Sequence, residues 1–135
     1  MSLSLDKAMG ILPEAVNLRA RRMEVLASNI ANADTPNYKA RDIDFRSVLQ
    51  AASNGGDQLR MARSHAGHLD PSANGQVGQS ELLYRTPSQP SLDGNTVDPQ
   101  LERAAFAENA VQYQSSLEFL NRRVSGIRDA LRGER

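Results

Sequence analysis

The chain has 135 residues, no cysteine and a formal net charge of zero, with sixteen basic and sixteen acidic side chains. That length suits one domain at most. Disulfides and thiolate metal sites are excluded, and a neutral chain has no long-range attraction to nucleic acid or anionic lipid. The first residues, through Arg22, carry no basic patch followed by an apolar run, so no Sec-type signal peptide is expected. No apolar run approaches the ~20 residues that cross a bilayer.

The N-terminal third reads as a helix with one apolar seam. Leu5, Met9, Leu12, Val16, Met23, Leu26 and Ile30 recur alternately four and three residues apart, with Arg19 in the one interrupted place. This is a heptad pattern of the kind that packs one helix on another. Ala8, Ala15, Ala20 and Ala27 flank it, small enough to admit a close neighbour. Pro13 removes a backbone donor but suits the first position of a helix. The expected stable helix therefore covers about 14–31, with the residues before Pro13 ordered only in an assembly.

Residues 46–97 are poor in core-forming side chains: Leu, Ile, Val and Phe fill nine of fifty-two positions, while six of the nine glycines lie there. That is too little apolar surface for an independent core. Asp44 is placed to cap a short helix from Phe45 to Ala52, and Leu59–Arg63 and Leu82–Arg85 are candidate strands. Hairpins and loops are expected here, poorly ordered in a monomer.

The C-terminal third carries the stronger signal. Asp98-Pro99 is an N-cap followed by proline at the first helical position, and Glu102 lies at the positive end of the helix dipole. Phe106, Ala110, Tyr113, Leu117, Leu120, Val124, Ile127 and Leu131 then hold an unbroken seam along a helix of roughly 50 Å. Gly126 falls off that seam and costs about 1 kcal/mol relative to alanine. Two narrow seams make a marginal core for a lone hairpin, so contacts between chains are the favoured use of both.

Candidate chemistry is sparse. His65 and His68 stand at His-x-x-His spacing with Asp70 nearby, short of a zinc ligand set and read as solvated loop residues. No dinucleotide, Walker or nucleophile-elbow pattern occurs, so no catalytic residue, cofactor or small-molecule substrate is expected. Arg19-Ala20-Arg21-Arg22 reads as a solvated helix face rather than a phosphate-binding patch.

At the end of the first helix stands Ser28-Asn29-Ile30-Ala31-Asn32, followed by Thr35-Pro36-Asn37-Tyr38. Asn29 and Asn32 lie on one helix face and can bond orphan carbonyls or a neighbour's backbone. Pro36 stops the helix. Asn37 stands where a turn favours glycine, and asparagine tolerates positive φ. This stretch resembles the N-terminal signature of flagellar rod, hook and related axial proteins. Lys39 to Phe45, Ser91 to Asp98, and Ala107-Glu108-Asn109 with Tyr113-Gln114 are similar to the proximal-rod branch of that family. The resemblance covers most of the chain, least well residues 50–80.

The reading is a mainly α protein: two long terminal helices forming a coiled-coil-like pair around a small irregular or β middle. Residues 1–33 and 98–135 would be assembly cores and 34–97 a loop-rich middle. The resemblance implies a structural, non-enzymatic subunit of the basal-body rod. It would be exported without cleavage through the flagellar type III apparatus to the periplasmic rod. Its implied partners are itself, other rod proteins, the adaptor joining membrane ring and rod, the export gate and the ring. The alternative is a cytoplasmic coiled-coil adaptor or small helical regulator.

Overall fold

The computed structural model describes residues 5–53 and 82–133. Among these residues, four helices and two short strands follow in order: α1 Leu5–Met9, α2 Leu12–Ala31, β1 Arg41–Ile43, α3 Phe45–Ser53, β2 Leu82–Tyr84 and α4 Pro99–Arg132. The architecture is a helical hairpin of α2 and α4, with the two-stranded sheet and α3 laid against α2.

Pro13 opens α2 in its first turn, as expected, and Asn32 closes it, its N–H reaching back to the carbonyls of Ser28 and Asn29. The residues before Pro13 differ from expectation. Leu5–Met9 form their own turn of helix within the single chain, because the break falls at Gly10, which takes φ 59°. Glycine meets no steric penalty there. The α1 turn is tied to α4 by Arg123 Nε, 3.0 Å from the Ala8 carbonyl.

The start of α4 matches its sequence signal. Asp98 is extended and its carboxylate accepts the N–H groups of Gln100 and Leu101, at 3.0 and 3.3 Å. Gly133 follows the last turn in the left-handed conformation, the usual helix stop. Asp44 likewise caps α3, accepting from the N–H groups of Arg46 and Ser47.

The strands pair antiparallel, Arg41 with Tyr84 and Ile43 with Leu82. This is a correction in two respects. β1 lies inside the motif region, where no strand is expected, and its partner comes from forty residues on rather than from a local hairpin. The predicted strand Leu59–Arg63 and the pair His65 and His68 lie outside the described residues.

Leu18, Ile43 and Val48 form the buried cluster between α2, β1 and α3, with Val25, Phe45 and Leu82 against it. Val16 and Leu26 are also buried on α2, Leu26 completely. Full burial of such a side chain contributes about 1.5–3 kcal/mol. Part of the N-terminal seam is thus consumed inside the chain.

Candidate functional site: a polar clasp and two outward faces

The helix-end motif is held by side chains that replace backbone partners. Asn29 is wholly buried. Its Nδ2 donates to the Arg41 carbonyl at 2.6 Å, and its Oδ1 accepts the Arg41 N–H at 3.1 Å. The carboxamide therefore satisfies both polar groups of one β1 residue, as a neighbouring strand would. Its Nδ2 also lies 3.1 Å from Glu102 Oε2 on α4, and the Tyr38 hydroxyl reaches both Asn29 and Ser28.

Glu102 is 1% exposed, and a carboxylate so buried must be paired. Its Oε1 meets Arg85 Nη1 at 3.0 Å, and Arg85 Nη2 meets Asp42 Oδ2 at 2.5 Å. Asp42 in turn accepts a two-pronged bond from Arg22, at 2.9 and 3.0 Å. Two guanidiniums and two carboxylates balance in one network that joins α2, β1, the end of β2 and α4. Burial pushes the Asp42 carboxyl up, but its hydrogen bonds from Arg22, Arg85 and the Ile43 N–H outweigh that and leave it below its ordinary value. The bond to Asp42 correspondingly raises Arg22.

The second motif clasps the first. Asn95 Nδ2 donates to the carbonyls of Asn32, Ala33 and Thr35 at 2.8–3.0 Å, serving the orphan acceptors at the end of α2. Asn37 adopts φ 60° as its side chain allows, and its N–H bonds the Asp93 carbonyl at 2.8 Å. Thr96 Oγ1 accepts the Ala40 N–H at 2.8 Å. Asn32 bonds back to the Ser28 carbonyl, and the Thr35 hydroxyl bonds Asn32. Ala31, Thr35, Pro36 and Asn37 remain exposed.

Arg19 and Arg22 are not a solvated face. Arg19 donates to Ser116 Oγ at 3.1 Å and to Gln112 Oε1, and its guanidinium lies 4.2 Å from the centre of the Phe45 ring. Burial lowers its basicity, with the charge of Arg22 adding to the effect. Nearby, wholly buried Asn109 donates to the Arg19 carbonyl at 2.9 Å. Sequence reasoning missed Arg22, Asp42, Arg85 and Asn95, whose partners are distant in the chain. The Asn95 signal was present in the Ser91–Asp98 match.

The predicted seams divide. Val16 and Leu26 are buried, while Met9, Leu12, Met23 and Ile30 are half-buried. Leu5 lies in α1. On α4, Phe106, Tyr113, Leu117, Leu120 and Ile127 are half-buried on the face that also carries Glu102 and Asn109, whereas Val124 is 46% and Leu131 77% exposed. At this far end Met9, Val124, Ile127 and Leu131, with Arg128 and Arg132 beside them, line an open, mainly apolar groove of about 400 Å³. The opposite face of α4 exposes Leu101, Val111 and Phe119.

A hairpin locked internally by a polar clasp, with Leu101, Val111, Phe119, Val124 and Leu131 left exposed on α4, has the form expected of a structural assembly subunit. The family described as "Flagella basal body rod protein" matches residues 11–39. The chain is 47% identical over 135 residues to a flagellar basal body rod protein FlgB of Salmonella typhimurium, covering 96% of each. It is 48% identical over 126 residues to one of Cereibacter sphaeroides, covering 93% of this chain and 94% of the relative. To one of Escherichia coli it is 47% identical over 131 residues, covering 94% of each. The chain belongs to the FlgB family of flagellar basal body rod proteins. It is a structural subunit of the basal body rod that assembles with other rod components, not an enzyme, and these relatives do not favour the cytoplasmic adaptor or regulator.

Proposed function

We propose that this subunit builds the proximal, periplasmic part of the rod through its terminal helices, residues 1–33 and 98–135, with 34–97 acting as the clasp that sets the angle between them. The observation that carries this reading is the uncovered apolar groove of Met9, Val124, Ile127 and Leu131. Apolar side chains left in water gain from a partner helix, and this groove continues the seam that packs the hairpin. The occupants proposed are other rod subunits and further copies of this chain. The adaptor between rod and membrane ring, the ring itself and the export gate are proposed as neighbours at the base. No helix among the described residues is long and apolar enough to cross a membrane.

Export without cleavage is part of the same proposal, supported by the packing of α1, whose Ala8 carbonyl is held by Arg123 of α4, so that removal of the first twenty or so residues would take away part of the hairpin. Imaging isolated basal bodies with this subunit labelled tests the position, and label confined to the rod base is the expected result. Mass spectrometry of the same sample should find a chain beginning at Met1 or Ser2. A start some twenty residues later would overturn the export route.

A further inference from the structure

Gly126 has no explanation inside the chain. It sits within α4, where glycine weakens a helix relative to alanine, yet a Cβ built on it meets nothing within 4 Å. It is exposed, on the same outward face as Phe119 and Arg122. A helical glycine on open surface is accounted for when another backbone must come close.

The outward face of α2 has the complementary form. Ala20, Glu24 and Ala27 succeed one another at four and three residues, the alanines small and Glu24 and Ala27 exposed. Glu24 has no hydrogen bond or ion pair among the described residues. Run antiparallel, the two stripes match in register: Phe119 falls on Ala27, Arg122 on Glu24 and Gly126 on Ala20. The large ring meets a small residue, the Glu24 carboxylate meets the Arg122 guanidinium, whose partner within the chain is the exposed Glu118 one turn back on α4, and the glycine admits the closest approach.

We infer that the Phe119–Gly126 face of α4 docks antiparallel on the Ala20–Ala27 face of α2 in a second copy of this chain. The inference deepens the rod reading and rests on it. The two faces differ and lie on different helices, so the contact is head-to-tail. Such contacts propagate into rings or filaments rather than closing as two-fold dimers. The matched stretch is only about 11 Å long, too short for the roughly 1,200 Å² that a stable pair requires. It therefore forms within the assembled rod, where other contacts add to it.

The absence of cysteine makes the test clean. The full chain carrying Ala27→Cys and Phe119→Cys together is expressed as the sole copy, and isolated basal bodies are treated with a short bis-maleimide. Dimers and higher multimers of this chain from the double variant, with neither single variant giving them, are expected. Dimers from Phe119→Cys alone would mean a self-paired α4 face and overturn the inference. So would a product joined to a different rod protein, or no product from basal bodies that contain the variant. Mass spectrometric detection of the unaltered chain in basal bodies tests the rod reading separately. Gly126→Leu provides the second arm. The purified variant should melt higher, because leucine favours the helix, while cross-linking in the Cys background falls roughly tenfold through overpacking. A lower melting temperature, or an unchanged yield, would assign the glycine to another cause.

Discussion

Asn29 and Glu102 meet at 3.1 Å in the buried centre of the molecule, joining the end of α2 to the first turn of α4. Each carries a second duty, Asn29 to the backbone of Arg41 and Glu102 to Arg85. Removing one partner strands the others, and breaking a buried ion pair costs about 3–5 kcal/mol. Glu102→Ala should therefore destabilise the purified chain by roughly 3 kcal/mol. Glu102→Gln, which keeps the shape and one acceptor, should cost about 1–3 kcal/mol. Urea denaturation followed by circular dichroism measures both. Equal stability of Glu102→Ala and the parent would remove the network from the list of forces holding the hairpin.

The contact between Gly94 and Asn37 gives a coupled prediction. Both residues have positive φ, and a Cβ on Gly94 would lie 2.6 Å from Asn37 Oδ1. Gly94→Ala should cost about 1–2 kcal/mol from the left-handed backbone alone, plus the displacement of the Asn37 side chain. Asn37→Gly removes that side chain and still accepts φ 60°. In a double-mutant cycle the pair should be less destabilised than the sum of the single changes, by at least about 0.5 kcal/mol. Strict additivity would show that Asn37 simply rotates away.

These two clasps show what could be read in advance and what could not. The ends of α4 and α3 were legible because Asp98-Pro99 and Asp44 act on the N–H groups two or three residues ahead. The turn at Asn37 was legible because only a few residue types accept its φ. β1 was not, since three residues become a strand only when Asn29 and the distant β2 supply their partners. Arg19 and Arg22 looked solvated because charge at helical spacing usually is. Their acceptors, Ser116, Gln112 and Asp42, lie 97, 93 and 20 residues away. Glu102 was legible as a helix-dipole residue but not as a buried one, for the same reason. Non-local polar pairing leaves no periodic trace.

Asp42 makes stability depend on pH in a definite direction. Its carboxyl is held below the ordinary value in the folded chain, so as pH falls the unfolded chain takes up the proton first. Its contribution is complete above roughly pH 5, declines as pH passes the ordinary carboxylate value of about 4, and is gone once the folded carboxyl is protonated. Asp42→Asn should lower stability at pH 7 by about 1–3 kcal/mol and flatten the acid limb of the stability curve. Urea midpoints from pH 7 to pH 3 test this. A variant with the parent's acid slope would assign that slope to other carboxylates.

The two positions Leu120 and Val124 separate folding from assembly. They lie one turn apart on the C-terminal seam, but Leu120 is half-buried while Val124 is 46% exposed beside the open groove. Leu120→Asp places a carboxylate against the hairpin and should destabilise the isolated chain by about 1–3 kcal/mol. Val124→Asp leaves that packing intact, so the purified chain should stay within about 0.5 kcal/mol of the parent. In a filled groove, however, a carboxylate at 124 must give up its water beside Met9, Ile127 and Leu131, which is costly even where Arg128, also on the groove, offers it a partner, and Val124→Asp should abolish motility and rod incorporation. Asn121→Asp, exposed and off the seam, is the charge-matched control and should do neither. Export is scored separately by immunoblotting of secreted fractions, so that failed secretion is not counted as failed packing. A Val124→Asp strain that exports the subunit and swims normally would show that the groove stays open to solvent in the finished rod. Rod contacts would then have to lie on other faces of the hairpin.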